Sequence, residues 1–348
     1  METHETEHVM RDEQDHQLLH HNTFGINAKC KRFVEFGSEA ELCAVLPTID
    51  IAHEPLLLLG GGSNLLLQGD FCGTVLHSAI KGREVVRQDA MSVWLRCGSG
   101  EVWDDVVAYA IMQGWHGAEN LSLIPGEVGA TAVQNIGAYG VEVKELIESV
   151  EAIDLSTGKK VVLGNADCQY AYRQSRFKQE WRNRYVITHV VYRLGKGAFH
   201  PRLDYGNIRA VLAERNIDTP TAAELREAII DMRNDKLPDP RVQGNAGSFF
   251  MNPIVERTKY QELIARYPSM PHYAVDAERE KIPAGWLIDQ CGWKGKSLGP
   301  AGVHDRQALV LVNRGGATGQ DILRLCKAVC RDVYEKFGVE IHPEVNII

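Results

Sequence analysis

The stretch that decides the fold is Ile124–Gly140, IPGEVGATAVQNIGAYG, in which glycines alternate with small, hydroxyl-bearing and amide-bearing residues. A second stretch, Gly60–Leu65 (GGGSNL), follows the apolar run Leu56–Leu59, which predicts a buried strand ending in a turn with exposed backbone. Glycines let successive backbone N–H groups approach and chelate a phosphate. One such loop is weak evidence, because turns and caps account for most glycines. The two together predict a pyrophosphate held between them.

The common nucleotide-binding motifs are missing from the sequence. The third glycine of G-x-G-x-x-G is replaced by Leu65 in the first loop and by Trp103 after Gly98 and Gly100. A P-loop is not formed either, because its opening position is Gln290. Without a G-x-S-x-G elbow, a serine hydrolase has no support. These absences exclude a simple Rossmann dehydrogenase and a P-loop ATPase.

Composition bounds the class of protein. The chain has 348 residues, with 38 Lys+Arg against 46 Asp+Glu and a formal net charge of −8, so two or three domains are expected and nucleic acid is not expected as a partner. The cysteines form no C-x-x-C pair, and we expect neither a metal site nor a disulfide framework. No apolar run resembles a signal peptide or a membrane span, which predicts a cytoplasmic protein without a membrane partner.

The local patterns predict a mixed α+β chain. Strands are expected at Thr74–Leu76, Val93–Arg96 and Tyr185–Leu194, and a hairpin at Ser149–Asp154 and Lys160–Leu163. A helix is expected over Glu101–Gln113, another after the capping box at Thr221, and a third carrying Cys326 and ending at Gly338. Leu237–Pro240 breaks the second of these helices and suggests a domain boundary. The polar residues 1–21 predict a disordered leader, and the apolar tail Val339–Ile348 is expected to pack on an earlier domain.

An ordered series of motifs resembles the UDP-N-acetylenolpyruvoylglucosamine reductase family. The motifs are Asn22–Ile26, Gly60–Leu65, Glu119–Gly126, Gln134–Gly140, Tyr172–Lys178, Lys236–Pro240, Gly244–Phe250, Ala284–Gln290 and Pro343–Val345. The resemblance implies a two-part FAD-binding unit of the vanillyl-alcohol-oxidase (PCMH) type, followed by an α+β substrate-binding domain. We expect residues 22–80 with 338–348 to form the first FAD subdomain, 81–236 the second, and 237–337 the substrate domain.

The resemblance also implies the reaction and its partners. Members reduce UDP-N-acetylglucosamine enolpyruvate to UDP-N-acetylmuramate, a precursor of peptidoglycan, with NADPH as co-substrate. The segment Pro268–Ile282, with Tyr273, resembles the longer type of the family, which closes a tyrosine-bearing loop over the substrate. Since the Gly60–Leu65 loop contains neither histidine nor cysteine, we expect FAD to be bound non-covalently. A monomer is expected.

The family motifs place three catalytic residues at Ser248, as proton donor, Arg173 and Glu344. Without the motif, the serine would be read as a turn residue, and the two charged residues as solvated surface groups. An ionised Glu344 would repel developing negative charge, so we expect it to be protonated or to act through Arg173. The expected FAD contacts are Gly60, Gly61, Gly62, Ser63, Asn64, Leu65, Ser122, Gly126, Gly129, Thr131, Gln134, Asn135, Gly137, Ala138, Tyr139 and Gly140. The expected substrate contacts are Tyr172, Tyr205, Lys236, Asn252, Tyr273 and Gln307.

One position departs from the family pattern, and two other functions stay open. Met251 stands where a lysine is expected, which removes a cation near the substrate. A hydroxy-acid oxidase on the same scaffold would not need the arrangement of Ser248 and Glu344. A non-catalytic UDP-sugar-binding protein that had lost flavin is disfavoured by the intact glycine loops.

Overall fold

The chain divides into two compact units in a computed structural model that describes residues 9–348. The first unit consists of residues 9–16, Cys30–Gly61 and Cys72–Arg233. The second consists of Gln17–Lys29, Gly62–Phe71 and Asn234–Ile348. The break after Arg233 falls close to the boundary expected at residue 237.

The helices are short except for the last. Within residues 9–348 the α-helices are α1 (Glu39–Val45), α2 (Trp103–Met112), α3 (Val128–Gln134), α4 (Ile208–Glu214), α5 (Ala222–Lys236), α6 (Arg257–Arg266), α7 (Ala284–Gln290) and α8 (Gly319–Phe337).

The strands lie in several small sheets. They are β1 (Arg11–Gln17), β2 (Lys29–Phe36), β3 (Leu56–Leu59), β4 (Leu65–Leu66), β5 (Phe71–Ser78), β6 (Arg83–Gln88), β7 (Ser92–Gly98), β8 (Gly137–Ala138), β9 (Val141–Glu142), β10 (Ile147–Asp154), β11 (Lys159–Gly164), β12 (Tyr185–Gly195), β13 (Ile254–Glu256), β14 (Tyr273–Ala274), β15 (Arg279–Lys281), β16 (Ser297–Leu298), β17 (Ala301–Val303), β18 (Leu311–Asn313) and β19 (Asn346–Ile347).

A four-stranded sheet carries the first glycine loop. Its strand order is β1-β2-β5-β3, and β3 runs parallel to β5 with Leu59 opposite His77. The apolar run that forms β3 therefore ends at the edge where Gly60 begins. A Cβ on Gly73 of β5 would lie 2.1 Å from the carbonyl oxygen of Pro55, so only glycine permits this close approach.

The prediction of a disordered leader is wrong for residues 9–21. Arg11–Gln17 form strand β1, and Leu19–His21 form a 3₁₀ turn. The strand is polar because it lies at the edge of the sheet, where most of its side chains are exposed. The guanidinium of Arg32 on β2 donates to both carboxylate oxygens of Asp12, at 2.6 and 2.8 Å. Residues 1–8 of the predicted leader lie outside the described residues.

A five-stranded antiparallel sheet forms the centre of the first unit. Its order is β11-β10-β12-β7-β6, and the predicted hairpin is its pair β10–β11. Trp103 of α2 and Tyr192 of β12 are almost completely buried, with ring centroids 5.3 Å apart. The indole N–H of Trp103 donates to the carbonyl of Leu121, which ties the helix to the segment that leads into the second glycine loop.

The second unit contains small sheets and the long helix α8. Three-stranded sheets have the orders β13-β15-β14 and β16-β17-β18. Helix α8 begins with a capping box at Thr318. It ends at the left-handed Gly338, where the sequence predicted its end. The C-terminal strand β19 pairs in parallel with β4, so the tail does return to an early segment of the chain. Among the described residues, no helix is both long and apolar enough to cross a membrane.

A charge network joins strands of the five-stranded sheet. Arg96 on β7 donates to both carboxylate oxygens of Glu151 on β10, at 2.7 and 2.8 Å. Lys160 lies 2.8 Å from Glu151 and 3.0 Å from Glu39. Glu39, Glu151 and His189 bring three potential ligand atoms within 4.8 Å of one another, but the two cations already engage both carboxylates, so we assign no metal here. The hydrogen bonds from Arg96, with those from Lys160, lower the pKa of Glu151 to about 2.

We predict that Glu151→Gln destabilises the protein at pH 7 by about 1–3 kcal/mol, the cost of losing a hydrogen bond between charged groups. The folded pKa of Glu151 is lower than its ordinary value of 4.5, so its contribution is complete above that value and is lost as pH falls towards 2. Urea unfolding at pH 7, 5 and 3 should therefore show that the difference in unfolding free energy between wild type and Glu151→Gln decreases as the pH falls. Glu84→Gln is the control, because Glu84 is mostly exposed and lies 3.8 Å from Arg96. An equal loss at pH 3 and pH 7 would contradict the assignment.

Candidate active site

The two glycine loops approach each other within the first unit. A Cβ on Gly61 would lie 3.2 Å from the Cα of Gly126, and one on Gly60 would lie 3.3 Å from the Cβ of Ala130. Gly126 has a φ of +115°, which side-chain-bearing residues rarely adopt. Gly61 thus faces the backbone of Gly126, while Gly60 faces the side chains of Ala130 and Glu127. Within the second unit, Gly62 continues the first loop with a φ of +62°, and a Cβ there would lie 2.1 Å from the carbonyl oxygen of His21.

The second glycine loop is anchored on both of its sides. The backbone N–H of Gly129 donates to the carbonyl of Ser99 at 2.8 Å, and a Cβ on Gly129 would meet the Cβ of Ser99 at 3.0 Å. Buried Ser122 donates to the carbonyl of Glu119. Buried Thr131 lies 2.6 Å from the hydroxyl of Tyr192. These bonds engage the side chains of Ser122 and Thr131 in shaping the loop and its helix α3.

Arg173 lies beside the end of α3. Its guanidinium donates to the carbonyl of Gly137 at 2.8 Å, and its φ of +56° is a left-handed conformation that only surrounding contacts can maintain. Lys178 supplies one such contact by donating to the carbonyl of Arg173 and to Oε1 of Gln134. Buried Asn135, also left-handed, donates to the carbonyl of Ala171. The structure therefore joins the expected motifs Gln134–Gly140 and Tyr172–Lys178 into one feature.

The tyrosines of this unit lie beside the same segment. Tyr139 has a φ of +49°, and a Cβ on Gly140 would lie 3.3 Å from the Cβ of Tyr205. Tyr205 is 44% exposed, and the guanidinium of Arg173 lies 5.6 Å from the ring of Tyr172. The residues expected here, including Ala138 in β8, are thus contiguous in space as well as in sequence.

In the second unit, a loop that precedes Ser248 is shaped by Asn245. The Oδ1 of Asn245 accepts from the backbone N–H of Gly247, and its Nδ2 donates to the carbonyls of Pro238 and Gln243. Gly247 has a φ of +66°. The hydroxyl of Thr23 donates to the carbonyl of Asn245 at 2.6 Å, and the backbone N–H of Asn245 donates back to the carbonyl of Thr23 at 3.0 Å. The backbone N–H of Thr23 donates to the carbonyl of Gly62.

Ser248 and Glu344 lie on paired segments of this unit. The backbone N–H of Glu344 donates to the carbonyl of Phe249 at 2.8 Å, and that of Met251 donates to the carbonyl of His342. The side-chain amide of Asn64 donates to the carbonyl of Glu344. Ser248 and Glu344 are both partly buried. The structure therefore brings together two of the three expected catalytic residues, while Arg173 belongs to the first unit.

The expected substrate contacts of the second unit have different surroundings. Lys236 is exposed at the end of α5, and Tyr273 is 47% exposed on β14, with Lys281 5.7 Å from its ring. The Oδ1 of Asn252 accepts from the backbone N–H of Ala284. Gln307 accepts from the backbone N–H of Leu309.

Ser63 and Leu65 complete the first glycine loop, and Leu65 is buried in β4.

Known proteins match this arrangement from end to end. A reductase of UDP-N-acetylenolpyruvoylglucosamine from Bacteroides fragilis is 54% identical over 336 residues, covering 97% of this chain and 100% of that protein. One from Paraburkholderia phymatum is 48% identical over 332 residues, covering 95% and 96%. The family model described as the C-terminal domain of this reductase matches residues 239–348, and that of an FAD binding domain matches residues 30–164. The chain belongs to the UDP-N-acetylenolpyruvoylglucosamine reductase family.

A solved structure agrees with the fold of the family. The reductase from Thermus caldophilus has a TM-score of 0.67 at 22% identity, covering 97% of this chain and 99% of that one. The expectation of an α+β chain with an FAD-binding part and a separate C-terminal part is confirmed.

The residues of the first unit fit the FAD that a member of this reductase family uses. Gly60, Gly61 and Gly126 present backbone without side chains where the two loops meet, which is what a diphosphate chelated by N–H groups requires. Gly129, with its N–H bound to Ser99, shapes the adjoining turn and does not itself offer a donor. We therefore propose the junction of the loops as the place where the diphosphate of FAD binds.

Sequence reasoning missed three polar residues of the reductase. Asn120 donates to the carbonyls of Tyr139 and Arg202, and it lies inside a quoted family motif. Arg233 lies beside Tyr139, and burial lowers the pKa of its guanidinium. Arg226, seven residues earlier on α5, forms a bidentate ion pair with Asp104 at 2.7 and 2.9 Å. Arg226 and Arg233 are seven residues apart, which places both on one face of α5, and this spacing could have marked them as a pair from the sequence.

We predict that Gly61→Val weakens FAD binding by about 10- to 100-fold, because the branched side chain must separate Gly61 from Gly126, and overpacking of this kind costs about 1–3 kcal/mol. The flavin content of the purified protein, from its visible flavin absorbance, measures the loss. Gly69→Ala is the control, since a Cβ at Gly69 meets nothing within 4 Å. Full flavin occupancy in Gly61→Val would place the diphosphate elsewhere.

Proposed function

We propose that this protein reduces the enolpyruvyl ether of UDP-N-acetylglucosamine to UDP-N-acetylmuramate, using NADPH and non-covalently bound FAD. The observation that carries the proposal is the pairing of the Ser248 and Glu344 segments, in a chain that matches reductases of this substrate over nearly their whole length. We keep the sequence-based expectation of a monomer with two small-molecule partners.

The reaction needs a hydride, a proton and a group that stabilises charge. FAD, when bound, supplies the hydride chemistry between NADPH and the enolpyruvyl group. Addition of hydride at the methylene carbon leaves negative charge that spreads onto the neighbouring carboxylate. A proton must then reach the carbon beside that carboxylate, so the protein must provide an acid and a cation.

We assign the proton to Ser248. A hydroxyl is a poor acid in water, and it becomes useful only when it is held close to a strongly basic carbanion-like centre. The turn at Gly247, fixed by Asn245, and the bond between Phe249 and Glu344 restrain the backbone on both sides of Ser248. A serine in this role requires such restraint, because a displaced hydroxyl would be too far from the carbon that it must protonate.

We assign stabilisation of the developing charge to Arg173. Its guanidinium is held by the carbonyl of Gly137, and its backbone is held by Lys178 in a left-handed conformation. A cation positioned before the reaction needs little rearrangement as charge develops, and it is worth more in a site that excludes water than in solution.

We assign a supporting role to Glu344, through its carboxyl group. Its backbone is bound on one side by Phe249 and on the other by the side chain of Asn64. An ionised carboxylate would oppose the negative charge of the intermediate, so we propose that Glu344 carries a proton or acts through a cation.

The remaining contacts are proposed for the nucleotide and the sugar. Lys236 suits a diphosphate as a mobile point charge, and Asn252 suits a hydroxyl or phosphate oxygen through its amide. Tyr172, Tyr205, Tyr273 and Gln307 complete the proposed set. Met251, in place of a lysine, makes binding of the substrate less dependent on charge in this chain.

The deciding experiment measures oxidation of NADPH that depends on UDP-N-acetylglucosamine enolpyruvate. Turnover with this substrate supports the proposal. Oxygen consumption with a hydroxy acid and no turnover of the enolpyruvate would favour the oxidase instead. Purified protein without flavin absorbance would contradict both enzymes.

We predict that Ser248→Ala retains FAD and its reduction by NADPH but slows reduction of the enolpyruvyl group by about 10²–10⁴-fold, the usual contribution of a general acid. Stopped-flow recording of flavin reoxidation by the substrate separates the two half-reactions. Ser297→Ala, at an exposed position of the same unit, is the control. Reoxidation at the wild-type rate would remove Ser248 from the role of proton donor.

We predict that Glu344→Gln also slows the second half-reaction, by about 10-fold or more, because an amide has neither the acidity of a carboxylic acid nor the charge of a carboxylate that pairs with a cation. Single-turnover rates with the enolpyruvyl substrate measure the effect, and reduction of the flavin by NADPH should be unchanged. Glu340→Gln is the control, since Glu340 lies in the same tail with its side chain 71% exposed. Undiminished turnover in Glu344→Gln would show that the carboxyl group is not needed.

A further inference from the structure

A histidine lies between two carboxylates next to the glycine loops. The Nδ1 of His77 lies 2.8 Å from Oε2 of Glu35, and its Nε2 lies 3.2 Å from Oε1 of Glu127. All three side chains are largely buried, at 13–16% exposure. Two carboxylates can both accept from one imidazole only when both of its nitrogens carry protons, so this geometry is that of the imidazolium.

The position of this group connects it to both loops. His77 is the residue of β5 that lies opposite Leu59, immediately before Gly60. Glu127 immediately follows Gly126 in the second loop. The hydrogen bond between the side chains of His77 and Glu127 thus joins the strand beside the first loop to a residue of the second.

The charge of Glu127 is the reason that such a partner is needed. Its Oε2 lies 3.6 Å from a Cβ built on Gly60, and its Cγ lies 3.8 Å from one built on Gly61. An uncompensated carboxylate this close to the loop would repel a diphosphate. Pairing with an imidazolium removes that repulsion and directs Glu127 towards β5.

The surroundings favour the protonated form. Burial by itself lowers the pKa of His77, but the hydrogen bonds and charges of Glu127 and Glu35 outweigh it and raise the pKa above its ordinary value of 6.5. Two further groups lie beside this triad. The guanidinium of Arg11 lies 3.8 Å from the carboxylate of Glu35, and the ring of Phe33 lies 6.1 Å from that of His77. The ring of His16 stacks on that of Phe33, with 4.2 Å between the ring centroids.

We propose that His77 is a positioning residue for FAD, which holds Glu127 and neutralises it so that the two glycine loops can accept a diphosphate. The inference rests on the FAD site of the proposed function, and it adds a residue to which no family motif points. Because the folded pKa is raised, the stabilising charge is complete below the ordinary value and is lost as pH rises through the folded value. Affinity for FAD should therefore fall as the solution becomes alkaline.

The test measures FAD binding by apo-protein through flavin fluorescence between pH 6 and 9, without any turnover. His77→Gln should bind FAD about 10- to 100-fold more weakly at pH 6, the range expected for a lost hydrogen bond between charged groups. Its affinity should also vary less with pH than that of the wild type. His53→Gln is the matched control, because His53 pairs with Asp50 at 2.9 Å but is 81% exposed.

A double variant separates charge compensation from a general loss of structure. In His77→Gln/Glu127→Gln the repelling carboxylate is absent, so most of the lost affinity should return. A double variant as weak as His77→Gln, or a His77→Gln protein with the affinity and pH profile of the wild type, would overturn the proposal. If His77→Gln fails to fold, as shown by its thermal melting, the single variant Glu127→Gln decides, since it should lose the pH dependence and keep the affinity. Wild-type protein that bound no FAD would instead contradict the proposed function itself.

Discussion

The loop Gly60–Gly62 has no room for side chains because other backbone lies directly against it, and the rest of the structure depends on this constraint. Gly61 lies on Gly126, and Gly62 lies on the carbonyl of His21. A Cβ at Gly62 would clash with that carbonyl, and one at Gly61 would be crowded by the Cα of Gly126 at 3.2 Å. The segments on which the loop rests must keep their positions if backbone N–H groups of the loop are to converge on a ligand.

Hydrogen bonds extend this constraint through the second unit. Thr23 binds the carbonyls of Gly62 and Asn245, and Asn245 in turn accepts from Gly247. Ser248 follows directly. Segments more than 200 residues apart in sequence are thereby linked by a few partly buried bonds, and a proposed catalytic residue is placed relative to Gly62. Thr23 belongs to the motif Asn22–Ile26, so these bonds give that motif a structural role beside the loop.

Local charges matter more here than the net charge of −8. Arg173, Arg226 and Arg233 lie in the first unit near Tyr139 and Asp104, and the imidazole of His77 compensates the carboxylates on either side of it. An acidic protein can therefore bind anionic molecules, because a few placed cations and backbone N–H groups act at short range while the distant surface charge is screened. Overall charge excludes only a partner that would need a broad basic face.

The sequence by itself determined the elements whose signals are local. The strand at Leu56–Leu59, the hairpin of β10 and β11, and the stop of α8 at Gly338 all follow from periodicity, turn residues and caps. The motifs also identified the family and both glycine loops, because an ordered series of motifs is far more specific than any single glycine-rich turn.

Only the tertiary structure decided the features that depend on distant partners. Residues Arg11–Gln17 are polar enough to suggest disorder, and they form a strand because β2 supplies its hydrogen bonds and Arg32 an ion pair. The pairing of Glu344 with Phe249, and the contact of His77 with Glu127, join residues 95 and 50 positions apart. No pattern within a short window carries that information, since such contacts form only when the packed sheets and loops hold both partners in place.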